Sequence, residues 1–124
     1  MIDQTRRVVV TGVGAVSCLG LTVEDSWANA LAGKCGLDTL TVTDTSKINV
    51  HIGGQAWGFD PTQYMDPREA RRRDRFCQLG VAAARQALDQ SGLMITDDIA
   101  DEVGVIFGTG TGGLDSYTQF VQGY

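Results

Sequence analysis

Three groups of residues have the types and spacing that chemistry would need. Val8-Val9-Val10-Thr11-Gly12-Val13-Gly14 is a β-branched run entering glycines. Such an arrangement can bring backbone N–H groups to a pyrophosphate at a helix N-terminus. Here Ser17 stands where the third glycine belongs, Gly20 follows, and a helix cap comes only at Thr22. Asp38 is available as an acid but lies in a turn-like setting. The fingerprint is incomplete, so a tight structural turn is the simpler reading and dinucleotide binding the rival.

The second group, Gly108-Thr109-Gly110-Thr111-Gly112-Gly113, lacks the Gly-Lys-Ser/Thr ending of a phosphate-binding P-loop. It reads as backbone passing close to another element or lining a ligand pocket. The third group is Arg68, Arg71, Arg72, Arg73 and Arg75. From Asp66 to Arg75, five arginines against three acids give a local +2, leaving -7 elsewhere in a chain of net charge -5. Arg68, Arg71, Arg72 and Arg75 have i, i+3, i+4, i+7 spacing, one face of a continuous helix. That face is either solvated and paired with Asp66, Glu69 and Asp74, or a docking patch for an acidic or phosphorylated partner.

The cysteines offer less. Cys18, Cys35 and Cys77 are widely spaced, and His51 is the single histidine, so no zinc pattern or nucleophile motif can be composed from them. Three unpaired cysteines fit reduced thiols in a cytoplasmic chain. Arg6-Arg7 followed by Ala15-Val16-Ser17-Cys18 imitates a lipoprotein signal, but Gly12, Gly14 and Gly20 make a poor helical insert. No stretch is long and apolar enough to cross a membrane.

The elements that must position these residues follow an α/β order. The chain has 124 residues, 43% apolar and 20% charged, compatible with one domain or part of one. An acidic balance, with pI about 4.6, argues against a general nucleic-acid or anionic-membrane binder. Arg7–Thr11 and Val103–Phe107 read as buried strands of a parallel sheet. Thr22 caps a helix that Gly33 ends. Leu40–Thr43 and Asn49–Ile52 read as short strands within an irregular excursion. Asp66-Pro67-Arg68-Glu69 starts a helix expected to run unbroken to Ser91, with Gly92 as its stop. Leu114, Tyr117 and Val121 begin a last helix.

Taken in order, these segments resemble the β-ketoacyl-[acyl-carrier-protein] synthases, most nearly the synthase II type. The likeness rests on Arg6 to Val16, Leu19-Gly20, Trp27, Leu31 to Lys34, Asp44-Thr45-Ser46, Phe59-Asp60-Pro61, Asp66 to Phe76 and Gly108 to Gly113. It implies an α/β thiolase-like layered fold, of which residues 1–124 are the N-terminal portion of one truncated domain, in a cytoplasmic homodimer. The implied activity is acyltransfer in fatty acid biosynthesis: elongation of acyl-carrier-protein thioesters by decarboxylative Claisen condensation, with no bound cofactor or metal.

The resemblance implies that Arg68, Arg71 and Arg72 dock the acidic acyl carrier protein. It places Thr111 at the acyl pocket, where synthase II enzymes commonly hold a bulkier apolar residue. It assigns no catalytic residue here, because the family's nucleophilic cysteine and two histidines belong to sequence beyond these positions. The chain alone is expected to be inactive. A noncatalytic carrier-binding partner and a polyketide ketosynthase or chain-length-factor fragment remain open beside this reading.

Overall fold

The computed structural model describes residues 7–123. Arg6 lies outside that range. The helices start and stop largely where local chemistry directs them. In α1 (Val23–Leu31), the Thr22 hydroxyl accepts the Asp25 N–H at 3.1 Å and donates to the Asp25 carboxylate at 2.9 Å. This reciprocal pair satisfies an otherwise orphaned helix donor. Gly33, at φ 66°, takes the left-handed backbone that ends the helix.

The helix expected from Asp66 to Ser91 is two helices. α2 (Pro67–Arg72) and α3 (Arg75–Ser91) meet at Arg73, whose φ/ψ of -103°/135° is extended. Gln78 compensates for the break. Its amide Nε2 donates to the Ala70 carbonyl at 2.8 Å and to the Arg73 carbonyl at 3.0 Å. These carbonyls at the α2 end would otherwise lack a helical partner. α3 stops at Gly92 (φ 66°) as expected. α4 spans Leu114–Gln122.

The strands depart further from expectation. Among the described residues the sheet is a two-stranded antiparallel ribbon of β1 (Leu37–Thr39) and β2 (Ile52–Gly54). Its register is Leu37↔Gly54, Asp38↔Gly53 and Thr39↔Ile52. The pairing is therefore displaced from Leu40–Thr43 and Asn49–Ile52. Leu40 lies against Gly53 and Cys18 against Gly54, where larger residues would crowd them. Gln55 continues the ribbon, accepting the Thr41 N–H at 3.2 Å and donating to the Thr41 hydroxyl at 2.7 Å.

Val8–Val10 and Val103–Phe107 form no ladder among the described residues, and they are not buried as expected. Val8 is 98% exposed and Val105 89% exposed. A strand requires a partner for its backbone groups and cover for its side chains, and neither segment has both here. What core there is lies around Phe59, Ala70 and Ala82. Phe59 stacks on Tyr64 with ring centroids 6.0 Å apart. Between them, Asp60 caps a short 3-10 turn at Pro61–Gln63 that packs on α2 and α3.

Candidate functional site

Gly12 and Gly14 are committed to packing. A Cβ at Gly12 would overlap the Ala87 carbonyl, and one at Gly14 the Ala83 carbonyl. The segment is fastened across α3 by side-chain amides: Val13 N–H donates to Gln90 Oε1 at 2.7 Å, and Ala15 N–H to Gln86 Oε1 at 3.2 Å. Gln86 also donates to the Leu21 carbonyl at 2.7 Å. Neither glycine has positive φ, so close approach to a helix, not a tight turn, is what excludes a side chain. The following helix starts nine residues after Gly14, at Val23, so these glycines do not form the N-terminal cradle that a pyrophosphate uses.

The arginines divide in two. Arg68, Arg71 and Arg72 are exposed on α2, within one turn of each other. Arg71 Nε donates to the Pro67 carbonyl at 3.2 Å, holding that side chain along its own helix. Arg73 forms an ion pair with Glu69 at 2.9 Å. Arg75 leaves the group, because the helix break rotates it inward. Its guanidinium lies 4.6 Å from the centre of the Phe59 ring and reaches the Ala56 carbonyl at 3.5 Å. The expected four-arginine face is therefore a three-arginine face, with Arg75 serving the packing of Phe59.

The glycine-rich loop at 108–113 abuts the same junction. Thr111 is exposed on it. A Cβ at Gly112 would come within 2.8 Å of the Phe76 ring, and one at Gly113 within 3.3 Å of Asp74 Oδ2. Phe107 in turn fills the space beside Gly80 of α3. Ser116, in the first turn of α4, donates to Asp74 Oδ1. A polar cleft of about 270 Å3 lies here, lined by Arg71, Arg72, Arg73, Asp74, Ser116 and Gln119 among others. The arginine helix and the Thr111 loop are thus brought together through Asp74 and Phe76. By sequence alone Asp74 is a charge partner on a solvated helix face. Its one local signal is an Asp two residues ahead of Phe76, where an apolar helical spacing begins.

Cys18, Cys35 and Cys77 are free thiols, Cys35 exposed and the other two half-buried. Cys18 packs against Gly36 and Gly54 and lines a cavity of about 650 Å3 with Val42, Gln55, Arg75 and Leu79. His51 Nδ1 is 3.1 Å from Thr45 Oγ1. Among the described residues no His, Cys, Asp and Glu cluster could hold a metal ion, and no helix is long and apolar enough to cross a membrane.

The chain is 42% identical over 116 residues to the 3-oxoacyl-[acyl-carrier-protein] synthase 2 of Staphylococcus aureus, covering 94% of this chain and 28% of that protein. It is 47% identical over 110 residues to the enzyme of the same name from Vibrio harveyi, covering 89% and 26%. Among solved structures, it superposes on a chain of the ishigamide ketosynthase/chain length factor with TM-score 0.67 and 33% identity, over 80% of this chain and 23% of that one. This chain therefore spans little more than a quarter of the length of the curated relatives it matches. The sequence profile described as "Beta-ketoacyl synthase, N-terminal domain" matches residues 5–123. The chain belongs to the β-ketoacyl synthase family and has its thiolase-like α/β fold.

Proposed function

We propose that residues 1–124 are the N-terminal portion of the first domain of a homodimeric, cytoplasmic condensing enzyme of fatty acid synthesis. It elongates acyl-carrier-protein thioesters by two carbons. A cysteine thiolate outside Cys18, Cys35 and Cys77 attacks the acyl-carrier thioester and takes the acyl group, and the carrier's thiol leaves. Decarboxylation of malonyl-carrier protein releases CO2 and leaves an enolate. The enolate carbon attacks the acyl thioester, the new C–C bond forms, and the cysteine leaves as thiolate. Residues 1–124 contribute binding to this reaction: Arg68, Arg71 and Arg72 meet the acidic carrier protein, and Thr111 faces the acyl chain. The observation that carries the reading is the match over residues 5–123, together with relatives named as 3-oxoacyl-[acyl-carrier-protein] synthase 2. The exposed arginine group on α2 supports the docking role.

The test is a paired kinetic assay of Arg71→Glu/Arg72→Glu in the full-length synthase. Exposed ion pairs contribute about 0.2–1 kcal/mol each, so a double reversal is needed for a clear effect. KM for carrier-bound substrate rises and association slows, and added salt shrinks the difference. Turnover of a small carrier-free thioester stays the same. Equal losses on both substrates would assign the arginines to folding, and no loss on either would leave them as solvated charges.

A second reading is favoured by one observation, the superposition on a ketosynthase/chain length factor. In it the protein is a polyketide ketosynthase or a noncatalytic partner that retains the carrier-binding surface. The sequence continuing from these residues discriminates the two: a Thr-Ala-Cys elbow with two later histidines supports the condensing enzyme.

A further inference from the structure

The junction between α2 and α3 has a feature that neither capping nor docking uses. Asp74 has the backbone of a helix N-cap, φ -60° and ψ 155°, yet its side chain caps nothing. Aspartate at this position ordinarily accepts an N–H of the first turn. Here Oδ1 instead accepts the Ser116 hydroxyl, 42 residues away, and Oδ2 faces Gly113. The first turn of the same helix places the Phe76 ring against Gly112. On its other side the junction is tied to α2, because Gln78 donates to both the Ala70 and Arg73 carbonyls. The Asp74 backbone carbonyl completes the link by accepting the Gln78 N–H at 3.1 Å. One continuous set of contacts therefore runs from the helix bearing Arg71 and Arg72 to the loop bearing Thr111.

We propose that Asp74 is a positioning residue that fixes the Thr111 loop against the arginine helix through Ser116, and so sets acyl-chain-length discrimination. The inference rests on the condensing-enzyme reading and adds a residue to it. Asp74 touches no reacting atom. Its carboxylate holds the start of α4, and with it the two glycines after Thr111, at a fixed distance from α3. A hydrogen bond to a charged acceptor is stronger than a neutral one, which suits a contact that must hold an otherwise permissive glycine loop in one place. Loss of the contact frees the loop to yield to longer acyl chains without altering the chemistry itself.

The experiment compares Asp74→Ala, Ser116→Ala, their combination and Asp74→Asn in the full-length synthase. Each is assayed with short and long acyl-carrier-protein substrates. The single Ala variants should shift the long-to-short ratio of kcat/KM by about fivefold in the same direction, the scale of coupling between contacting residues. The combination should shift it no further, and Asp74→Asn, which keeps an acceptor, should recover much of the wild-type ratio. An unchanged ratio with a uniform fall in activity would overturn the proposal and leave Asp74 a structural residue. Should Asp74→Ala fail to fold, exposed Ser116 carries the test through its own variant, with the same two outcomes. A wild-type protein that condenses no acyl-carrier protein would overturn the condensing-enzyme reading as well. An active wild type with an unmoved ratio overturns the Asp74 role alone.

Discussion

Gln90 accepts the backbone N–H of Val13 across α3 at 2.7 Å, and between this bond and the parallel one from Ala15 to Gln86 lies Gly14, pressed on the Ala83 carbonyl. Gly14→Ala in the full-length synthase should lower stability by about 1–3 kcal/mol, the range for overpacking a tight contact. Gln90→Ala should cost less, about 0.5–1.5 kcal/mol, because its bond is exposed. Denaturant unfolding of both variants checks this. A Gly14→Ala protein as stable as wild type would remove the steric explanation for that glycine.

Residues 1–124 expressed alone should aggregate or unfold without cooperativity. Val8, Val10, Val105 and Ile106 are almost wholly exposed, and only Phe59, Ala70 and Ala82 are buried apolar residues among those described. Exposed apolar surface forfeits about 25 cal/mol per Å2, against the total of about 5–15 kcal/mol that keeps a domain folded. Calorimetry on the purified chain is the check, and a soluble monomer with a sharp transition would contradict the expectation.

The same isolated chain should take no acyl group. His51 is engaged with Thr45 and not with a cysteine, so none of the three thiols has an imidazole base at hand. Intact mass after incubation with an acyl-carrier protein should be unchanged. A stoichiometric adduct on Cys18, Cys35 or Cys77 would defeat this.

Acid should loosen the 3-10 turn that packs on α2. The Thr62 hydroxyl at 2.7 Å and the Thr62 N–H at 2.9 Å both donate to Asp60, and they hold its carboxyl below the ordinary value of 3.8. Because the folded value is the lower one, the stabilisation is fully present above 3.8 and is lost as pH falls through the folded value. Titration of the Asp60 carboxyl by NMR should show a midpoint below 3.8 in wild type, moving upward in Thr62→Val as the hydroxyl donor disappears.

Helix termini were legible in the sequence because their chemistry is local. Thr22, Asp66, Gly33 and Gly92 act on residues within a turn of themselves, and each does so in the structure. The arginine group on α2 was legible for the same reason. The break at Arg73 was not, since the groups that stabilise it are the Gln78 amide and Ser116, the latter far along the chain. Gly12 and Gly14 were misread as a turn because the space they vacate is filled by α3, which spacing within their own segment cannot reveal. Val8–Val10 and Val103–Phe107, which read as buried strands, are not buried and form no ladder among the described residues, because a ladder depends on a partner strand that local pattern does not specify.

α2 has six residues, too few to persist as an isolated helix in water. Its shape is therefore borrowed from the uncharged Gln78, which grips its last carbonyls, while its charge comes from Arg68, Arg71 and Arg72. Scaffold and charge are consequently independent variables. Exchanging the arginines for lysines would keep the positive charge and remove the planar guanidinium fork, while Gln78 still holds the backbone that presents them. Replacing Gln78 would do the opposite, scattering an unchanged set of charges.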